Sequence, residues 1–372
     1  MRIRIMTFHT PKNYGAVLQG YSLMSYLEKY TEDVKVIDFN TPHLRSLYRI
    51  TPKISGIKSF IKSILLLPTY SAKRKKYIKF EEFIKEQFKL TKRFENSAML
   101  YTEKWDAEIF VTGSDQVFNP GRQEDEQKAF YLDFVPSDKF KVSYAASFGK
   151  KVIPEGKKEQ IGNFLKNFNA ISVREHSGIE IVKQVSDRNA IEVLDPVFLN
   201  NKQFWLSLAK PYPLKAAHYL LYYRLLDSNI SDNFVERLAR EKKLDLIVIT
   251  DTSIKIKTKS VLRDVGPQEF LFLFANANFI ATNSFHGVVF SLVFEKQFIF
   301  CDPFKESNDR GVNLLSKAGI EKQAFFESYC IEDELNYMEI NKKLELLKKN
   351  SFEFIDKAME SFKNYVFKKN NS

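Results

Sequence analysis

Phe279-Ile280-Ala281-Thr282-Asn283-Ser284-Phe285-His286-Gly287, running into the apolar stretch Val288–Phe294, is the passage on which the fold turns. Its first four residues suit a buried strand, Asn283 and Ser284 break the run, and Gly287 permits close backbone approach. A helix-length apolar segment follows. Strand, polar turn, glycine and helix make a βα junction, whose helix start presents N–H groups to an anion. His286 sits in that turn, and a side chain with near-neutral pKa suits acid–base work there.

The same alternation of strand and amphipathic stretch extends in both directions. Strands are expected at Arg2–Phe8, Asp33–Phe39, Glu108–Thr112, Lys141–Ala146, Ala170–Val173 and Ile191–Leu194. A second series is expected at His218–Tyr223, Asp245–Thr250, Phe279–Thr282 and Gln297–Phe300. Helices are expected near 16–30, 78–88, 154–168, 175–185, 231–241, 267–274, 288–294 and 313–318, with a Lys/Glu-rich helical tail from Glu332. The class is α/β with two Rossmann-like lobes: 1–200, interrupted by a basic helical insertion at 41–93, and 201–372. The hinge is expected near Leu199–Pro213, with a cleft at the carboxyl ends of the strands.

Composition narrows the function. The chain has 372 residues, 44% hydrophobic and 28% charged, with a formal net charge of +11. Thr41 to Arg93 carries fourteen Lys or Arg against three Glu, so the excess is local to the insertion. A nucleic-acid binder spreads its charge over a face built from many segments, which argues against that class. The 34 Phe and 17 Tyr exclude intrinsic disorder. Cys301 and Cys330 have neither CxxC spacing nor a His cluster nearby, so no disulfide scaffold or zinc site is expected. No run approaches the roughly 20 apolar residues of a membrane span. The expected location is cytoplasmic.

Four segments are candidates for chemistry, each with a bland alternative. In His9-Thr10-Pro11-Lys12-Asn13-Tyr14-Gly15-Ala16, Asn13, Tyr14 and Gly15 either contact a sugar or form a simple turn capped by Asn13. In Gly113-Ser114-Asp115-Gln116, Asp115 either takes a proton or orients a hydroxyl, beside Gln116, or the segment caps a helix. Arg174, ending Ile171-Ser172-Val173, either binds a carboxylate or phosphate or pairs with Glu175 at the surface. The fourth is Asn283-Ser284-Phe285-His286-Gly287. Arg310 is a supporting cation or a surface charge. GxGxxG, GxxxxGK[ST] and HExxH motifs are absent.

In order, Asn13–Gln19 (NYGAVLQ), Gly113–Pro120 (GSDQVFNP), Ser143–Gly149 (SYAASFG), Ser172–Glu175 (SVRE), Leu194–Pro196 (LDP), Gly266–Phe270 (GPQEF) and Thr282–Gly287 (TNSFHG) resemble the polysaccharide pyruvyltransferase family. The resemblance implies a glycosyltransferase-B-like enzyme moving pyruvate from phosphoenolpyruvate to a sugar of a surface polysaccharide or its lipid-linked precursor. It implies His286 as acid/base, the Gly287 amide region as phosphate seat and Arg174 as the donor-binding cation. The segment readings add Asp115 as a second catalytic group, Asn283, Ser284 and Arg310 toward the donor, and Asn13, Tyr14, Gly15 and Gln116 toward the acceptor. No metal and no cofactor are implied. Some members read Arg-Leu-His-Gly at the last motif, and that Arg helps hold the donor. Here Ser284 and Phe285 stand there, so either Arg310 or a lysine supplies the charge, or the substrates differ.

Two other classes stand beside this. One is a metal-independent nucleotide-sugar glycosyltransferase of the same architecture, since no Asp-x-Asp motif occurs. The other is a non-catalytic nucleic-acid binder using the insertion, which holds Tyr48, Phe60, Tyr70, Tyr77 and Phe80 among its cations. Within the enzyme reading, the insertion either draws the protein to the anionic inner face of a membrane or a lipid-diphosphate acceptor, or is a solvated helical face.

Overall fold

The computed structural model describes residues 1–47, 67–301, 309–324 and 334–370. They form two compact units, each built on one parallel sheet. The expected aromatic residues Tyr48 and Phe60, Asn308 and Cys330 lie outside the described residues.

Unit one contains β1 (Ile3–Met6), α1 (Tyr14–Leu27), β2 (Val34–Phe39) and α2 (Pro42–Leu47). After α3 (Leu67–Gln87) come β3 (Leu90–Phe94), α4 (Ser97–Tyr101), β4 (Ile109–Thr112), α5 (Glu124–Phe130) and β5 (Phe140–Ala146). It continues with α6 (Glu155–Lys166), β6 (Ala170–Val173), α7 (His176–Val185) and β7 (Ile191–Glu192). Unit two contains α8 (Lys202–Leu208), β8 (Tyr219–Tyr223), α9 (Asn229–Glu241), β9 (Asp245–Ile249) and β10 (Ser260–Leu262). Then follow α10 (Pro267–Asn276), β11 (Phe279–Thr282), α11 (Phe285–Val293), β12 (Phe298–Phe300) and α12 (Asp309–Ala318), and the last helix, α13 (Tyr337–Asn370), starts in unit two and passes into unit one at Glu345.

The sheets run β3-β2-β1-β4-β5-β6-β7 and β10-β9-β8-β11-β12, with parallel pairing throughout. From β1 and from β8 the order is the same: two strands on one side, the rest on the other. These are Rossmann-like lobes. β1, β4, β8 and β11 are buried along their whole length, as parallel strands covered on both faces must be. Aromatics fill the space between sheet and helices. In unit one Phe118 stacks on Tyr131 at 4.3 Å; in unit two Phe270 lies 4.3 Å from Phe274 and 5.2 Å from Tyr223.

The division falls between Asn200 and Asn201, within the segment expected as the hinge, part of which forms α8. The structure departs from the sequence expectation elsewhere. The basic segment, expected in the first lobe, divides: α3 up to Glu86 belongs to unit two. Its lysines explain why, since Lys79 Nζ donates to Glu269 Oε1 at 2.8 Å and Lys76 Nζ to Asp251 Oδ2 at 2.8 Å. The tail from Glu345, expected with the second lobe, belongs to unit one. There Phe354, Ile355, Ala358, Met359 and Phe362 form a buried stripe at helical spacing, and Phe362 lies 5.7 Å from Phe140. β3 and β10 are additional edge strands: Lys92 and Arg93 interrupt the apolar pattern of one, and the other is three residues long.

Candidate active site

In an open parallel sheet, ligands bind beyond the carboxyl ends of the strands where the order reverses. That point lies between β1 and β4 in unit one, and between β8 and β11 in unit two. Asn13–Gly15 follow β1, Asp115–Gln116 follow β4, and Asn283–Gly287 follow β11.

In unit one Asn13 is the N-cap of α1, its side chain accepting from Ala16 N at 3.2 Å. Tyr14 and Gly15 are buried in the first turn of that helix. Asp115 has φ 75°, a left-handed conformation uncommon for a residue with a Cβ, which cross-sheet bonds maintain. Its carbonyl accepts from Ser147 N at 3.0 Å and its Oδ1 from Gln116 N at 2.8 Å. Gln116 Oε1 accepts from Asn119 Nδ2 at 2.8 Å, and the side chain lies against Gly149. A Cβ on Gly149 would come within 2.5 Å of it, and the φ of +65° independently requires glycine there.

Arg174 is not the surface cation of the bland alternative. Its side chain is 2% exposed and Nη1 donates to Asp195 Oδ2 at 2.7 Å. Asp115 Oδ1 lies 3.9 Å from Nη2 and Glu175 Oε2 3.8 Å from Nε, so the structure brings Asp115 and Arg174 together. Burial opposes the guanidinium charge, yet Asp195, Glu175 and Asp115 push its pKa above the ordinary value. Asp195 also accepts from Ser114 Oγ and Val197 N. Ser147 Oγ donates to Glu175 Oε1 at 2.7 Å. Asp195 and Ser147, which residue-level reading missed, and Glu175, expected only as a surface partner of Arg174, complete a buried polar cluster; they stand in the LDP, SYAASFG and SVRE motifs. His9, at the head of the first candidate segment, is buried with Nε2 3.1 Å from Asp38 Oδ1, and Arg93 Nε donates to Asp38 Oδ2 at 3.0 Å. Burial raises the Asp38 pKa, but the His9 bond and the nearby charges hold it below the ordinary value.

In unit two the helix starts earlier than expected, so Phe285, His286 and Gly287 form the first turn of α11, with Ser284 as N-cap. Asn283 is committed to the fold: Oδ1 accepts from Leu225 N and Leu226 N, and Nδ2 donates to Leu226 O at 2.7 Å. A Cβ on Gly287 would lie 2.1 Å from Thr282 Oγ1. Glycine is therefore what lets α11 close onto β11. His286 is 8% exposed, its ring 5.1 Å from that of Phe285. The Arg310 guanidinium lies 5.8 Å from the Phe285 ring centre, beside the residue next to His286. The sequence named Arg310 only from its charge. Among the described residues no group of three or more His, Cys, Asp or Glu is arranged to hold a metal ion. No helix among them is long and apolar enough to cross a membrane.

A family model described as Polysaccharide pyruvyl transferase matches residues 13–303. The chain belongs to that family. The match spans both units and every candidate residue except Arg310. No curated protein sequence matches it. Among solved structures it is similar to Anabaena HepE in complex with UDP, at 10% identity and a TM-score of 0.53, over 98% of this chain and 100% of that one. A UDP-N-acetylglucosamine 2-epimerase gives 10% identity and 0.53, over 98% and 97%. The UDP-GlcNAc 2-epimerase of Neisseria meningitidis gives 8% and 0.48, over 99% and 100%. Such identities speak for fold alone: two Rossmann-like lobes of the glycosyltransferase-B-like kind.

Proposed function

We propose that this family member transfers pyruvate from phosphoenolpyruvate to a sugar of a surface polysaccharide or its lipid-linked precursor, forming a pyruvate ketal. The observation that carries the reading is His286 in the first turn of α11, at the end of β11, with the Arg310 guanidinium on the neighbouring Phe285. A helix start and a cation favour an anionic donor, and the imidazole supplies acid–base chemistry.

The reaction balances without a redox step. A proton adds to C3 of phosphoenolpyruvate and positive character develops at C2, where a sugar hydroxyl attacks and loses its proton. The C2–O bond to phosphate then breaks. A second hydroxyl of the same sugar closes the ketal and loses its proton, leaving inorganic phosphate. His286 delivers the first proton, while Arg310 and the α11 start stabilise phosphate. At the sheet edge of unit one, Asp115 is the group suited to orient or deprotonate an acceptor hydroxyl, beside Gln116 and the Asn13–Gly15 turn. No cofactor takes part.

His286→Ala should abolish phosphate release from phosphoenolpyruvate plus acceptor, at unchanged circular dichroism. Full activity in that variant would remove His286 from the mechanism. Thermal shift with phosphoenolpyruvate and with UDP-sugars separates the reading from a nucleotide-sugar glycosyltransferase: stabilisation by a UDP-sugar alone overturns it.

A further inference from the structure

Four basic residues run together at Lys73-Arg74-Lys75-Lys76 in α3, and only the last is buried. Its side chain is 9% exposed, whereas Arg74 and Lys75 face solvent. Withdrawing an ammonium from water is costly unless it is paired, and Lys76 Nζ donates to Asp251 Oδ2 at 2.8 Å. Asp251 follows β9 by two residues, as Ser284 follows β11. Register pairs Ile249 with Tyr223 and Tyr223 with Thr282, so Asp251 and Ser284 leave the same sheet edge. Two strand spacings separate them, about 10 Å.

Tyr223, the last residue of β8, lies between them on that edge. Burial and then the Asp251 charge push its pKa up. Two further cations on this edge are committed elsewhere: Arg224 donates from Nε and Nη2 to Asp232 and from Nη1 to Asp227 and Thr252, and Arg263 Nη2 donates to Thr252 O at 2.8 Å. The Asp251 side chain is 51% exposed, so the Lys76 pair lies at the border of the edge rather than sealed in the core. An ammonium has three donors and turns readily between acceptors.

We infer that Lys76 supplies, from helix α3, the donor-binding positive charge that Ser284 does not carry. The inference rests on the donor reading above. A single Lys-rich helix then serves two ends: Lys79 fixes it to α10 through Glu269, and Lys76 holds charge on the sheet edge from which the His286 turn also leaves.

The test is calorimetric binding of phosphoenolpyruvate, inorganic phosphate and a UDP-sugar to the full chain. Lys76→Gln and Asp251→Asn break the same ion pair, so a purely structural pair would move affinity the same way in both. A ligand-binding cation splits them. Lys76→Gln should weaken phosphoenolpyruvate about tenfold or more, the scale of one charge-assisted bond. Asp251→Asn should leave it unchanged or tighter, Lys75→Gln unchanged, and Lys76→Arg close to wild type. Unchanged affinity in Lys76→Gln, or equal weakening in Asp251→Asn, overturns the inference. Should Lys76→Gln lose its fold, Lys76→Gln/Asp251→Asn, which leaves neither charge unpaired, must bind equally weakly. Wild-type binding of a UDP-sugar alone, with the same split, overturns the donor reading and keeps Lys76 as the anion ligand. No binding of any of the three overturns both.

Discussion

Single side chains at the two sheet edges have roles that differ from what their type implies. Gly287 looks like a phosphate seat in sequence, yet its Cα packs against Thr282. Gly287→Ala should therefore lower unfolding free energy by about 1–3 kcal/mol, the cost of overpacking a filled site, read by urea titration. A transition no lower than wild type would show that β11 and α11 can separate without penalty. Asp38 offers a pH test. Its folded pKa lies below the ordinary 3.8, so its contribution is complete above that value and lost as pH falls through the folded pKa. Asp38→Asn should cost about 1–3 kcal/mol at pH 7, because buried His9 loses its carboxylate. That gap should narrow below pH ~4, where the wild type protonates too. A constant gap across pH 3–7 would mean Asp38 is not held as a carboxylate.

Whole elements are fixed by a few bonds at their ends. α10 begins Gly266-Pro267, with Glu269 accepting from Gly266 N at 2.8 Å while its two oxygens also receive Lys79 Nζ. One carboxylate thus caps α10 and anchors α3. Glu269→Ala should cost about 1–2 kcal/mol, near the upper range for a lost cap, and speed amide exchange in the first turns of both helices. Protection lost in α10 alone would mean α3 is held without Lys79. At this scale the sequence was legible where pattern and length agreed: Ala170–Val173 and Phe279–Thr282 are strands at the expected residues. It was less legible at β3, whose Lys92 and Arg93 are tolerated because an edge strand has solvent on one side. The α11 start was missed by three residues because Phe285-His286-Gly287 has no helical pattern of its own, and Ser284 at the N-cap makes no side-chain cap bond that would mark it.

For the whole molecule, the net charge of +11 has changed meaning. Lys76 and Lys79, two of the basic segment's cations, are engaged by carboxylates within unit two, while Arg74 and Lys75 remain exposed. Arg74 and Lys75 are therefore the part of the Lys73–Lys76 run that a proposed peripheral attachment to an anionic membrane would use. Arg74→Gln/Lys75→Gln should reduce co-sedimentation with vesicles containing about 30% phosphatidylserine, roughly 1 kcal/mol of attraction per residue lost, and leave phosphatidylcholine vesicles unaffected. Equal sedimentation of both proteins would leave these residues as a solvated helical face.

Sequence alone determined the class and the family, because both are written in local features: period-2 apolar runs, polar turns and seven motifs in order. It also placed Asp115, Arg174 and His286 at strand ends, since a strand's end is legible in the residues that break it. Which of those groups are bound into the fold was decided by the tertiary structure. Asn283 is spent on the Leu225–Leu226 backbone, and Arg174 is paired with Asp195, twenty-one positions along the chain. Lys76 meets Asp251 across 175 positions. No local pattern encodes such pairings, because they depend on which strand ends a parallel sheet brings side by side and on where a helix finds a surface to bury its apolar stripe.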